Sequence, residues 1–207
     1  QTPLSPPPDA AQALVCPLVR RPPRVARRRA HVGFPGAVRI AAHDALGIID
    51  LANPDACAHV LGAMSSLVAE FGIDFIKWDH NRDLHEVVRT DGSGTDRPAV
   101  HAQTSATYRL LDELRRRHPG LDIESCSSGG ARVDLGVLER TDRVWTSDCN
   151  DALERVAIQR WTGLLVPPER MGTHIGPPTA HTTHRHLDLS LRMLVALGGH
   201  AGLEWDI

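Results

Sequence analysis

Phe75–His80 reads FIKWDH. A short apolar run, long enough for a strand and too short for a helix, ends abruptly in Lys77, Trp78, Asp79 and His80. Buried strands of a parallel sheet read as near-continuous apolar runs, so IDFIKWD is assigned as one such strand. The polar residues at its C-terminal end are not needed to form it. Reading outward from this stretch, the same unit recurs. LDIESCSS, VWTSD, RMGTHIG and AGLEWDI are short strands, and KWD, ESCSS, TSD, THIG and EWD place polar groups at the strand ends.

Helical spacing fills the intervals. After LGIIDL, read as a preceding partial strand, Asn53-Pro54 supplies an N-cap and a proline at the first helical position. Apolar residues then recur at Val60, Leu61, Met64, Leu67, Val68 and Phe71 until Gly72 ends the helix. A DGSG loop leads to a second helix, from about Gln103 to His118, with Leu110, Leu111 and Leu114 inward and Pro119-Gly120 after it. A short helix fits between LDIESCSS and VWTSD. Ala152–Leu165 carries Leu153, Val156, Ala157, Trp161 and Leu164 at helical spacing, and Leu187–Leu197 ends at Gly198-Gly199.

Alternating strands and helices imply a parallel α/β sheet with right-handed crossovers. An open doubly wound sheet collects ligands only near a switch point. Five successive polar strand ends fit a (β/α)8 TIM barrel better, because all strand C-termini converge there on one face. A complete barrel needs eight strands and usually about 250 residues. The expectation is therefore a partial barrel over residues 46–207, roughly strands 4 to 8, with one partial strand before them. Residues 1–45 differ: QTPLSPPPDA and VRRPPRVARRRA are rich in Pro, Arg and Ala without either period. They are read as an irregular or disordered segment, or as sequence not native to the protein.

Composition narrows the classes. The 207 residues are 42% hydrophobic and 23% charged, with a net charge of −2. That excludes a strong electrostatic footprint for nucleic acid. No apolar run reaches the roughly 20 residues of a membrane helix. The four cysteines (Cys16, Cys57, Cys126, Cys149) form no CxxC pair. They fit a reducing compartment, hence a cytoplasmic protein. His181, His184 and His186 in AHTTHRH lack both an i+4 partner and an HExxH pattern, so no metal and no cofactor is expected.

Two carboxylates carry the candidate chemistry. Asp79 ends one strand and Asp148 follows the strand two places later. Neighbouring strands lie about 4.8 Å apart and alternate strands contribute to the same layer. The pair could thus face each other across a sugar-sized gap, the arrangement that cleaves glycosides. Lys77 shares the orientation of Asp79 two residues on, and its ammonium is expected to hold Asp79 ionised. Trp78 points the other way, towards packing. The plainer reading of each aspartate is a helix N-cap, which Asp148 could supply to the helix that follows. Cys126 shows no activating base and is read as pocket lining. His80 and His174 end strands, where substrate contact and packing are both open. Glu204 and Asp206 form a second, lower-ranked carboxylate pair.

DFIKWDHNRD, ESCSSGGARVDLGVL, VWTSDCNDALERVAIQ, VPPERMGTHIGPPTAHTTHR and GGHAGLEWDI resemble, in that order, consecutive blocks of the family 36 alpha-galactosidases, over roughly Ile48 to Ile207. The resemblance implies a retaining glycosidase acting on terminal alpha-galactosyl residues of melibiose- or raffinose-type oligosaccharides by double displacement. It implies Asp79 as nucleophile and Asp148 as general acid/base. Lys77 and Cys126 would contact galactose hydroxyls, the Ser128-Gly129 turn would line the pocket, and Trp145 would join the substrate-binding set. Full-length members are often homo-oligomers.

Two departures follow. The family's substrate-binding arginine before the LGIIDL strand is matched by Asp44, a like charge where a cation donor belongs. The earlier barrel strands that grip the far end of galactose are absent. Half a pocket binds poorly and a partial barrel exposes sheet edges. These points lead to the expectation of a fragment that is unstable or inactive alone, which measurable turnover of a nitrophenyl alpha-galactoside would contradict. The alternatives are a non-catalytic carbohydrate-binding module, which would keep affinity after Asp79→Asn, and a raffinose-synthase-type galactosyl transferase, decided by its acceptor site.

Overall fold

The computed structural model describes residues 48–81, 84, 87–90 and 96–205. The 1–45 segment, Asp44, the DGSG turn and Asp206 lie outside the described residues. In chain order the elements are α1 (Pro54–Phe71), β1 (Phe75–Asp79), β2 (Val88–Thr90), β3 (Asp96–Pro98), α2 (Val100–Arg117), β4 (Asp122–Cys126), α3 (Leu135–Leu138), β5 (Arg143–Trp145), α4 (Ala152–Thr162), a 3-10 turn at Pro168–Arg170, β6 (Met171–Ile175), α5 (Leu189–Ala196) and β7 (His200–Leu203). They fall into two compact units, one holding α1, β2, β3 and α2, the other the remaining elements.

In the first unit, Asn53 caps α1, its side chain accepting from Asp55 N–H at 2.9 Å, with Pro54 behind it and Gly72 in the left-handed region at the far end. Leu61, Met64 and Val68 of α1 and Leu110, Leu111 and Leu114 of α2 are buried, and the two helices pack together. Each such side chain contributes about 1.5–3 kcal/mol on leaving water. The predicted LGIIDL strand is not formed at the described residues: 48–50 are irregular and Leu51-Ala52 is a turn. The Gln103 side chain replaces a ladder partner, its amide oxygen accepting from Leu51 N–H (2.9 Å) and its amide nitrogen donating to Ile49 C=O (2.8 Å). The segment around DGSG, read as a loop, carries a two-stranded antiparallel ribbon, with Val88 opposite Pro98.

The second unit is a five-stranded parallel sheet in the order β1-β4-β5-β6-β7. Within it every new strand adds beside the previous one, on the same side. A doubly wound sheet reverses direction at its switch point; this one does not, which is the strand order of a barrel wall. The fold is a partial TIM barrel.

Register sorts the side chains by face. Lys77 pairs with Glu124, Asp79 with Cys126, Glu124 with Arg143, Trp145 with Gly172, and His174 with Gly202. Partners in a parallel ladder share a face, so these chemistry-bearing residues lie together. The opposite face carries Ile76, Ile123 and Val144, each at most 1% exposed. Val144, Val166 and Met171 form an apolar cluster with Val133 and Leu138 against it. On that face Thr173 donates its hydroxyl to Ala196 C=O, tying α5 to β6.

One helix turns a different side inward from the one its pattern implies. Leu153, Val156, Trp161 and Leu164 were expected inside, yet all four are exposed, Trp161 by 63%. The buried residues of α4 are Ala152 and Arg155. The Arg155 guanidinium donates to Thr146 Oγ1 (2.7 Å), Ser147 C=O (3.3 Å) and Gly172 C=O (2.9 Å), joining the segment after β5 to the start of β6. Among the described residues no helix is long and apolar enough to cross a membrane.

Candidate active site

The site is built on the turn that follows β4. Past Cys126 the chain makes a tight reversal, with Ser127 N–H donating to Gly129 C=O at 3.0 Å. Ser128 and Gly129 both take positive φ, 45° and 78°. That conformation is free for glycine and uncommon for serine, so the serine is held there by its surroundings. A Cβ on Gly129 would come within 2.7 Å of the Asp148 backbone nitrogen and the Ser147 Cα. The turn is therefore pressed against the chain at Asp148, and only glycine permits that approach.

Asp79 flanks the other side of the same turn. Its Cα pairs with Cys126. Its Oδ2 accepts from the Asn81 side-chain amide at 2.8 Å, and Asn81 Oδ1 accepts from Ser128 N–H at 2.7 Å. Asn81 thus links the carboxylate to the turn. His80 N–H donates to Cys126 C=O and Ser127 Oγ to His80 C=O, extending the attachment beyond the strand. Asp79 Oδ1 is buried without a hydrogen-bond partner among the described residues. A buried acceptor left open costs free energy unless another molecule satisfies it, which makes this oxygen a candidate reactive atom. Arg132 underlies the arrangement, its Nη2 donating to Trp78 C=O (3.0 Å) and Cys126 C=O (2.8 Å).

Asp148 lies three residues beyond β5. Trp145 donates its indole N–H to Asp148 Oδ1 at 3.1 Å. The N-cap role belongs to Asp151, whose side chain accepts from Leu153 and Glu154 N–H. The cap of α4 thus makes no use of Asp148, whose backbone nitrogen lies against the turn. Burial raises the Asp151 carboxyl, but hydrogen bonds from Thr183, Leu153 and Glu154 and the charge of Arg185 outweigh it and leave it below the ordinary range. Thr183 and Arg185 belong to the AHTTHRH loop, so that loop seals the cap of α4. Among the described residues no cluster of His, Cys, Asp and Glu could hold a metal ion.

Beneath the two carboxylates lies a charged layer. Lys77 Nζ is 3.8 Å from Glu124 Oε1 and 3.7 Å from Glu204 Oε1. Among the described residues no ion pair joins Lys77 to Asp79, so the expected direct pairing is replaced by two other carboxylates. His174 bridges the same pair, with Nε2 3.3 Å from Glu124 Oε2 and Nδ1 2.9 Å from Glu204 Oε2. Glu124 is 0% exposed, and Gly172 makes room for it: a Cβ there would lie 2.6 Å from Oε2. Trp145, 2% exposed, stacks on His174 at 4.3 Å and carries Lys77 and Arg155 over its ring at 4.5 and 4.2 Å.

Cys126 is buried between Asp79, Lys77 and Gly129. Burial pushes its thiol up to about 12, the Gly129 N–H opposes this, and the Asp79 carboxylate adds to it. Such a thiol is neutral and no nucleophile at neutral pH.

The structure thus gathers Asp79, Cys126, Ser128, Gly129 and Asp148 around one turn, with Lys77 and Trp145 below. Asn81, Glu124, Arg132 and Arg155 were not singled out from the sequence. Asn81 shares the parity of Asp79 two residues on, and Glu124 is an acid inside an apolar strand with the parity of Cys126; both signals were present. Arg132 and Arg155 carry no such signal, and only tertiary contacts reveal them.

The Melibiase family model matches residues 36–207. The alpha-galactosidase of Escherichia coli is 46% identical over 159 residues, covering 77% of this chain and 22% of that protein. The alpha-galactosidase AgaA of Geobacillus stearothermophilus is 35% identical over 165 residues, again 77% and 22%. Its crystal structure superposes with a TM-score of 0.75 at 32% identity, covering 83% of this chain and 25% of that one. An AgaA variant solved in complex with raffinose gives 0.74 at 31% identity, with the same coverage. The chain spans between a fifth and a quarter of the length of these relatives.

Proposed function

The chain belongs to the melibiase family, and from that membership we propose that it carries the reacting half of an alpha-galactosidase site, with Asp79 as nucleophile and Asp148 as general acid/base. The observation that carries the reading is the shared turn: Ser128-Gly129 is held by Asn81 on the Asp79 side and abuts the Asp148 backbone on the other. Two carboxylates fixed on opposite flanks of one small feature are what double displacement at a single anomeric carbon requires.

In this reading Asp79 attacks the anomeric carbon through Oδ1, which has no hydrogen-bond partner among the described residues. Protonated Asp148 gives its proton to the departing glycosidic oxygen. A covalent galactosyl ester forms, Asp148 is left as a carboxylate, and it then takes a proton from water as that water attacks the ester. Configuration is retained. The charged form of Asp148 arises mid-cycle, and the Trp145 indole N–H is placed to stabilise it. Lys77, 3.7 Å from Glu204, is read as a donor to sugar hydroxyls, and the neutral Cys126 thiol offers a weak donor beside Asp79. The substrate class is an alpha-linked galactose on an oligosaccharide, as in the raffinose complex of the related enzyme.

Turnover of a 4-nitrophenyl alpha-galactoside by the full chain tests the reading against the expectation that the chain is inactive alone, which an absence of turnover would support. Hydrolysis abolished by Asp79→Asn supports it. Hydrolysis undiminished in that variant, or equal turnover of the beta-linked substrate, contradicts it.

A further inference from the structure

His174 lies between two carboxylates, its Nδ1 hydrogen-bonded to Glu204 Oε2 at 2.9 Å and its Nε2 at an ion-pair distance of 3.3 Å from Glu124 Oε2, whose oxygens have no hydrogen-bond partner among the described residues. The same two carboxylates are the partners of Lys77. These four side chains close a ring, Lys77–Glu124–His174–Glu204, that is charge-balanced only when the imidazole is protonated. A neutral imidazole has one N–H, so one nitrogen lone pair must then face a carboxylate. The face of the same ring stacks on Trp145 at 4.3 Å with 22° between planes, and the Trp145 N–H holds Asp148. The group between the charged ring and the proposed acid/base is one indole.

We infer that His174 is a positioning residue for Asp148, its protonation state being transmitted through the stacked Trp145 indole to the carboxylate that the indole holds. The inference rests on the reading of Asp148 as acid/base. The geometry carries it. An imidazolium hydrogen-bonded to Glu204 at Nδ1 and paired in charge with Glu124 beside Nε2 fixes the plane on which the indole lies, and withdraws electron density from that indole, sharpening its N–H as a donor. Loss of the proton frees one nitrogen and loosens the stack. The direction of the histidine's ionisation agrees: burial lowers it, but the hydrogen bonds and charges of Glu124 and Glu204 outweigh burial and leave it above its ordinary value of 6.5. The charged and titratable groups around His174 are Glu124 from β4, Glu204 after β7, Lys77 from β1, Arg155 from α4, Arg192 from α5 and His200 from β7. Of these, Glu204 is the partner that can be removed with least disturbance, because its side chain is half exposed.

The experiment follows the indole N–H signal of Trp145 in the 15N-labelled full chain as pH is raised. The chain has four tryptophans, and Trp145→Phe identifies the signal by its loss. The Trp145 signal is expected to show a His174 step beside any step of Asp148 itself; the midpoint of that His174 step falls in Glu204→Gln, because that carboxylate raises the His174 ionisation, and the step is absent in His174→Gln. A signal that does not move with pH, or that moves with the same midpoint in Glu204→Gln as in the unchanged chain, overturns the inference. Glu204→Gln decides this even where His174→Gln does not fold. A second arm compares aryl galactosides. Acting through Asp148, His174→Gln should lower kcat/KM by about 10-fold more for a poor leaving group than for dinitrophenolate; equal loss for both overturns the coupling. A chain without any turnover counts against the galactosidase reading alone, and the indole titration still decides the coupling.

Discussion

The two carboxylates are held by opposite strategies. Asp79 is part of a strand, its backbone fixed by the β1–β4 ladder, and one carboxylate oxygen is tied by Asn81 while the other is buried without a hydrogen-bond partner among the described residues. Asp148 stands beyond its strand on an irregular segment, and its position depends on an indole N–H and on the close approach of Gly129. A nucleophile must present one oxygen along one line, and a ladder supplies that rigidity. An acid/base must pass a proton out and take one back, and a carboxylate held by a single neutral donor tolerates both charge states. The difference predicts that damage near Asp79 and damage near Asp148 will have different kinetic signatures.

The largest effect tests the comparison itself. Asp79→Asn should lower kcat/KM by about 10⁴-fold or more whatever the leaving group. Asp148→Asn should cost about 10²- to 10⁴-fold for poor leaving groups and far less for dinitrophenyl galactoside, in steady-state assays of both substrates. Next, the thiol on the Asp79 side should resist chemistry. With its ionisation pushed up to about 12, Cys126 should alkylate with iodoacetamide at pH 8 on the order of 10³-fold more slowly than a free thiol, read by peptide mass mapping. Third, Arg155→Met strikes only the Asp148 side, since that guanidinium holds Thr146, Ser147 and Gly172. Leaving those acceptors buried and unmet should cost about 2–4 kcal/mol in urea denaturation.

Smaller changes separate the two anchors. Trp145→Phe and Asn81→Ala each remove one hydrogen bond to a carboxylate, about 1.5–3 kcal/mol. The first should slow poor leaving groups selectively, the second all substrates alike. The smallest effect is in the pH dependence of stability. The His174 ionisation is raised in the fold and that of Glu204 lowered, chiefly by its hydrogen bond from His174. The contribution of His174 is complete below about 6.5 and lost as pH rises through its folded value; that of Glu204 is complete above the ordinary carboxylate range and lost as pH falls through its lowered value. Their pairing therefore stabilises most at mildly acidic pH. His174→Gln should show a melting-temperature deficit that is largest near pH 6 and shrinks towards pH 9.

Much of this was legible because strands and caps write local signals. FIKWD, DIESC and MGTHI announce themselves as apolar runs with polar ends, and Asn53-Pro54 and Gly72 bracket α1 as their chemistry dictates. The two-residue spacing of Lys77 and Asp79 puts both on one face of the strand. What failed was tertiary. LGIIDL has strand composition, but strand formation needs a neighbour, and Gln103 from α2 supplied the hydrogen bonds instead. The apolar stripe of α4 pointed to the wrong buried side, because periodicity cannot register that three carbonyl and hydroxyl oxygens after β5 and at the start of β6 call for a guanidinium. The ring around Glu124 was invisible for the same reason: its members come from four separate strand ends.

The central claim is that Asp79 forms the covalent bond and Asp148 moves the proton. Incubating the chain with a 2-deoxy-2-fluoro galactosyl donor that is slow to turn over, then mapping the labelled peptide by mass spectrometry, tests it most directly. The account predicts one fluorosugar on the Phe75–Asn81 segment, esterified to Asp79, and none in Asp79→Asn. A label on Asp148, on Glu204 or on Cys126 would contradict it.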